Sequence, residues 1–317
     1  TQQVDMADIY ETQHCYVHNQ QCRLDQGASL EVAGLPCWDY SSAGKRLAEN
    51  GPTVGTFICH AKRHIHTKTP LIILENNLKM KLIEYLYGEH YHIHKLLVDV
   101  EDVGHSGTRR ERVYIILAHK TRTIQLLDPK ALYFAISSEI KSRISTRPSD
   151  YFVSNRTEVI LAAQELAFKR KKVFKESWFS RLDCTRLLTD REKAVIKTLN
   201  KEYRRRWKGD PFQNKDLVYH LGDNAYRRAW SAVSNKLPTL RMSGGLTWSV
   251  HLKRFLTGRE KLASLAFPVT KSIAKSMLVT ELPVIDSRRA STVAGNCMNF
   301  NSIGVVQLLA LASFKQR

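Results

Sequence analysis

The sequence predicts an α/β fold, and two observations carry that expectation. Short runs rich in Val, Ile and Leu alternate with helix-patterned stretches over the first 120 residues, and beyond them the texture changes to long basic segments. In the first region "SLEVAGLP" (29–36), "PLIILEN" (70–76), "HKLLVDV" (94–100) and "RVYIILA" (112–118) are bounded by Gly, Pro or charges and read as strands. "LKMKLIEYLYG" reads as a helix ending at Gly88. Such alternation predicts a largely parallel sheet, in which chemistry sits at the carboxyl ends of strands. Cys37 follows one such strand; Glu75 and Asn76 end another.

From about residue 121 the segments "AAQELAFKRKKVFKESWFSRL" (162–182), "DREKAVIKTLNKEYRRRWKGD" (190–210) and "NAYRRAWSAV" (224–233) predict a separate, mainly helical and basic module. Thr257 and Glu260 form a T-x-x-E capping box, which predicts a helix carrying Leu262, Leu265 and Ala266 on one face and stopped by Pro268. "AGNCMNFNSIGVVQLLALAS" (294–313) predicts a small-residue turn leading into an apolar helix. The expected divisions are 1–120, 121–285 and 286–317.

Composition narrows the function classes. No run of eighteen apolar residues appears, so no membrane partner is expected. The first residues lack the basic leader and apolar stretch of a secretory signal, and the absence of Met at position 1 suggests a processed chain or a fragment. Six cysteines in 317 residues are too sparse for a disulfide scaffold, which points to a reducing, intracellular compartment. The formal charge of +19 points to a polyanion as partner, nucleic acid above all. Between 160 and 210, fifteen Lys and Arg stand against seven Asp and Glu. The runs "KRKK" (169–172) and "RRR" (204–206) are interleaved with Phe168, Phe174, Trp178, Tyr203 and Trp207, a pattern that suits phosphate binding and a solvated helix over core aromatics equally well. "KRKK" also has the composition of a nuclear-import segment, so the expectation is the nucleus in a eukaryote and the cytoplasm otherwise.

Five segments in order, "GLPCWDYSSAGKR" (34–46), "LENN" (74–77), "GTRRERVYII" (107–116), "RFLTGREKLASLAFP" (254–268) and "AGNCMNFNSIGVVQLL" (294–309), resemble the DNA cytosine-5 methyltransferases. The resemblance covers roughly 30–120 and 237–312, with the basic module where that family carries its target-recognition domain. It implies an S-adenosylmethionine-dependent methyltransferase (Rossmann-like) domain, with S-adenosylmethionine as donor and double-stranded DNA with a flipped cytosine as partner. Carbon 5 of cytosine becomes nucleophilic only after addition at carbon 6, and a thiolate suits reversible addition. By resemblance Cys37 is that nucleophile, Glu75 the acid at ring nitrogen 3, and Arg110 with Arg112 the pair that positions the flipped base from one face of the strand start. The resemblance further implies Pro36, Asn296 and Cys297 at the donor pocket and Ser41, Arg241, Ser243 and Gly244 against DNA, joined by Lys171, Lys172 and Arg205 of the basic module.

Taken singly, each of these residues has a plainer reading. A lone Cys37 is most often a small buried hydrophobe, Glu75 a solvated helix start, the two arginines a solvated face, and Asn296 a turn residue after Gly295. The order of the five segments favours the functional readings. The chain departs from the family before Gly34, where neither a Gly-rich donor loop nor the acidic ribose ligand after it is found; a second chain is one source for that segment. Trp38, Asn77, Thr108 and Cys297 also stand where Gln, Val, Gln and Ser are usual. Alternatives are a transfer RNA cytosine methyltransferase of the same fold and an inactive nucleic-acid-binding relative. "HCYVHNQQC" (14–22) and "HYHIH" (90–94) lack paired C-x-x-C spacing, and no metal is expected.

Overall fold

The computed structural model describes residues 11–24, 28–36, 39–40, 47, 50–76, 82–173, 175, 182–225, 234–241 and 245–317. They fall into two units. One comprises residues up to Asp99 with Glu111–Glu139 and Ser302–Arg317; the other comprises Val100–Arg110 and Ile140–Asn301.

The first unit opens with a hairpin, β1 (Thr12–Cys15) and β2 (Gln20–Arg23), paired antiparallel. β3 (Leu30–Gly34), helix α1 (Val54–Thr67), β4 (Leu71–Asn76), the short α2 (Leu82–Tyr87), β5 (Tyr91–Val98) and β6 (Arg112–His119) follow. Among the described residues the sheet order is β3-β4-β6-β5, with β3 and β4 parallel and the other neighbours antiparallel. The expectation of a largely parallel sheet is therefore corrected. β6 returns between β4 and β5, and an apolar run looks the same in either direction. The strands expected near 30, 71, 94 and 112 are present, as is the helix before Gly88.

β4 and β6 are buried on both faces, as central strands must be. α1 presents Val54, Phe57, Ile58, Ala61 and His64 at helical spacing to a core that includes Ile72, Leu74, Ile115 and Leu117. It stops at Lys68, a left-handed cap whose N–H reaches the carbonyls of His64 and Ile65. After β7 (Thr123–Gln125) comes α3 (Pro129–Arg143).

In the second unit α4 (Arg156–Lys169) and α5 (Asp190–Trp207) each begin at a capping box, Asn155 with Glu158 and Thr189 with Glu192. Their apolar faces share a core with Tyr219 and Trp248, from β8 (Val218–His220) and β9 (Thr247–Ser249); β9 pairs in turn with β10 (Arg254–Phe255). The Thr257–Glu260 capping box starts α6, as expected, but α6 spans only Gly258–Ala263, so Leu265, Ala266 and Pro268 lie beyond it. α7 (Lys271–Ser276) and α8 (Ser287–Asn296) follow, the latter where the sequence suggests a turn at 294–296. The apolar helix near the end is α9 (Phe300–Ser313), and β11 (Phe314–Gln316) pairs with β7 in the first unit.

Candidate functional site

In the first unit the parallel register sets Gly34, the last residue of β3, beside Glu75. The two segments that carry Cys37 and Glu75 thus leave the sheet at the same carboxyl edge. Cys37 itself lies outside the described residues, but the chain on both sides of it is anchored. Upstream, the Asn76 side chain donates to the Leu35 carbonyl at 3.2 Å. Downstream, the buried Asp39 accepts from the Thr53 amide at 3.0 Å and its hydroxyl at 2.6 Å, at the start of α1. Tyr40 is buried edge-on to Phe57, with ring centroids 5.8 Å apart. Gly51 has no room for a side chain, since a Cβ there would fall 2.2 Å from Asp39 Cγ. Asp39 and Thr53 were not singled out from the sequence, and Asn76 only by its place beside Glu75, because their partners lie 14 and 41 residues away and no spacing rule connects them.

Glu75 points to the face it shares with its register partner Tyr114 and, two residues along β6, with Arg112. Arg112 Nε lies 3.0 Å from Glu75 Oε1. Its N–H is not aligned with that oxygen, and the buried Oε1 accepts no hydrogen bond from any described residue. An inward-facing carboxylate oxygen without a donor is a place where a ligand donor fits.

Arg110 corrects one expectation. It precedes the strand, which begins at Arg112, so the two arginines do not share a strand face. Arg110 is buried in the second unit, and its Nη2 donates to the Cys297 carbonyl at 2.7 Å, across 187 residues of sequence. Its segment is tied to 237–239 as well: Arg109 N–H donates to the Leu237 carbonyl, and Thr239 Oγ1 donates to the Arg109 carbonyl at 2.6 Å. Asn296 ends α8, and Cys297 follows as its cap. Of the candidate donor residues, then, Pro36 is exposed in the first unit while Asn296 and Cys297 belong to the second.

Among the candidate nucleic-acid contacts, Ser41, Ser243 and Gly244 lie outside the described residues. Arg241 pairs with Asp223 at 3.3 Å. The "KRKK" run is partly structural. Arg170 forms two 2.7 Å bonds to Glu192, and Lys172 donates to the Arg186 and Leu188 carbonyls at 3.0 and 2.7 Å. Lys171 is exposed with φ +52°. Arg205 is exposed on α5 and bonded to Glu202 at 2.9 Å. α5 also shows what the charge runs alone conceal: Lys193, Lys197, Lys201 and Arg205 follow at intervals of four, all exposed, forming one basic stripe. No helix among the described residues is long and apolar enough to cross a membrane.

A family model for C-5 cytosine-specific DNA methylases matches residues 3–297. The type II methyltransferase M.MspI of Moraxella sp is 30% identical over 137 residues, which is 40% of this chain and 32% of that protein's length. The chain therefore matches about a third of that relative. Among solved structures, the Dnmt2 methyltransferase of S. pombe aligns with a TM-score of 0.50 at 12% identity, covering 90% of this chain and 77% of that one. The methyltransferase EhMeth of Entamoeba histolytica aligns at 0.48 and 11% identity, with the same coverage. At such identities the first of these structures speaks to the fold, a mixed α/β methyltransferase architecture. With the matched segment spanning nearly its whole length, the chain belongs to the C-5 cytosine-specific DNA methylase family.

Proposed function

We propose that this chain activates cytosine in DNA for methylation at carbon 5. The observation that carries the reading is Glu75: a carboxylate at the carboxyl end of β4, in register with the residue three positions before Cys37, with one buried oxygen that accepts no hydrogen bond from the described residues. In this reading the Cys37 thiolate adds to carbon 6 of a flipped cytosine, and Glu75, as the acid, donates to ring nitrogen 3 while negative charge develops on the ring. Arg112 holds the Glu75 carboxyl in place. Arg110 positions the Cys297 backbone rather than the base.

S-adenosylmethionine supplies an electrophilic methyl group when bound. The described residues do not fit a complete cradle for it, because no described strand flanks the outer side of β3 and the hairpin preceding β3 carries no Gly-rich loop. A further segment or a second chain completes the donor pocket in this proposal, and Pro36, just past the end of β3, is the residue of the first unit that the resemblance assigns to it. The exposed stripe on α5, with Lys171, is the surface offered to phosphates, which makes binding strongly salt-dependent. Ser41, Arg241, Ser243 and Gly244 are further candidates for DNA contact on the strength of the resemblance alone.

Addition at carbon 6 makes carbon 5 exchange its hydrogen with water before any methyl is transferred, so the test does not need the donor. Duplex DNA and transfer RNA bearing cytosine tritiated at carbon 5 are incubated with the chain and with Cys37→Ala. Release of tritium from DNA by the unmutated chain alone is the expected result. Release from RNA alone moves the substrate to RNA. DNA binding without any Cys37-dependent release overturns the catalytic reading and leaves a binding protein.

A further inference from the structure

The β1–β2 hairpin stands outside the chemistry above, yet it gathers three soft ligands. Cross-strand pairing of Gln13 with Cys22 and Cys15 with Gln20 places both cysteines on one face of the hairpin. His18 sits in the turn between them, its Nδ1 3.3 Å from Cys22 Sγ. The Cys15 and Cys22 sulfurs and one His18 ring nitrogen all lie within 4.8 Å of one another. Two sulfurs on one zinc stand about 3.8 Å apart, as follows from Zn–S bonds of about 2.3 Å in a tetrahedron, so closing the site takes only small side-chain rotations.

Three further observations point the same way. Cys15 and Cys22 are half-buried while the other residues of the two strands are exposed, so the hairpin turns inward only where the thiols are. The backbone amides of His18 and Val17 donate to the Cys15 sulfur, as a turn wrapped around a thiolate does. Finally, β1 and β2 pair with no other described strand. A lone two-stranded hairpin is marginal in water, and this one leaves Tyr16 and Val17 almost fully exposed at its tip. A metal clamp is the kind of interaction that holds so small an element.

We propose that Cys15, His18 and Cys22 bind a zinc ion that closes the β1–β2 hairpin, with a water or an external ligand in the fourth position. Two thiolates and an imidazole select zinc over the oxygen-preferring cations. Where the sequence patterns suggest no metal, the fold supplies what C-x-x-C spacing does not: a turn that brings His18 back between the two cysteines.

The full chain, purified under reducing conditions, is dialysed against excess zinc and then against metal-free buffer, and its zinc is measured by plasma emission. One equivalent per chain is expected, falling to below a tenth of that in Cys15→Ser/Cys22→Ser, reduced in His18→Ala, and unchanged in Cys59→Ser. Cobalt replacement should give the intense visible bands of a tetrahedral thiolate site in the unmutated chain and in Cys22→His, which keeps three ligands. Equal zinc in the unmutated and double-serine chains, octahedral cobalt bands, or a Cys15–Cys22 disulfide that persists under reductant and excludes zinc would each overturn the assignment.

Discussion

Glu75 and Glu260 are both acidic residues in segments that carry the family resemblance, and the fold treats them in opposite ways. Glu260 is fully buried, and both its oxygens are saturated: Oε2 accepts from Arg254 Nη1 at 2.8 Å and Thr257 N–H at 3.0 Å, Oε1 from Arg254 Nη2 at 2.7 Å and Ser154 N–H at 3.3 Å. Arg254 in turn lies over the Phe152 ring. Glu75 keeps 13% of its side chain accessible and has a buried oxygen that accepts no hydrogen bond from the described residues, beside a misaligned arginine. A saturated carboxylate holds structure together, whereas one held short of saturation is available to a ligand.

The comparison can be broken most directly at Glu75. Glu75→Gln should slow Cys37-dependent tritium release by about 10²–10⁴ while the urea unfolding midpoint scarcely moves. A normal rate, or a large loss of stability, would place Glu75 with Glu260. Glu260→Gln leaves the buried Arg254 charge without its partner and should cost about 3–5 kcal/mol in urea unfolding. A loss below about 1 kcal/mol would remove the contrast. Asp39→Ala removes two hydrogen bonds at the start of α1 and should cost about 1–3 kcal/mol, with a fall in exchange rate beyond what unfolding explains, because the chain just downstream of Cys37 loses its anchor.

Acid should act on both units. Burial first, and nearby charge second, holds His60 at about 3 and His64 at about 4 against an ordinary 6.5; His64 and then Arg63 act on His60, and Arg63 acts on His64. Burial alone holds His105 at about 4, in the second unit, where its ring stacks on Tyr151. The folded chain keeps these imidazoles neutral while the unfolded chain protonates them. Stability is therefore full above pH 6.5 and is lost as pH falls through 4 toward 3. Urea midpoints measured across this window should drop, and His105→Gln should flatten the decline. The smallest effect is expected on α5: Lys197→Ala and Lys201→Ala should each reduce the salt dependence of DNA binding by about one phosphate contact, with stability changing by less than about 0.5 kcal/mol.

Much of the fold was legible because its signals are local. Strands near 30, 71, 94 and 112 announce themselves as apolar runs, and Thr257 with Glu260 marks a helix start by a spacing of three. The same local rules are silent on strand direction, so the antiparallel place of β6 between β4 and β5 was not legible. They overreach for Arg110 and Arg112, since alternation holds only within a strand and Arg110 lies before it. The charge runs named a basic surface, but only helical geometry separates Lys197 and Lys201 on the open stripe from Arg170 and Lys172, which the fold uses as braces.

What the sequence determined by itself is the family and the alternation of elements, and it supplied Cys37 and Glu75 as the proposed reactive pair, because composition, caps and ordered motifs are written in neighbouring residues. Tertiary structure alone decided which groups meet: Gly34 beside Glu75, Asn76 on the Leu35 carbonyl, Asp39 on Thr53, Arg110 on Cys297 and His18 between two cysteines. Hydrogen bonds and ligand sets depend on distances in space, and those distances exist only after apolar faces such as that of α1 have been buried against the sheet.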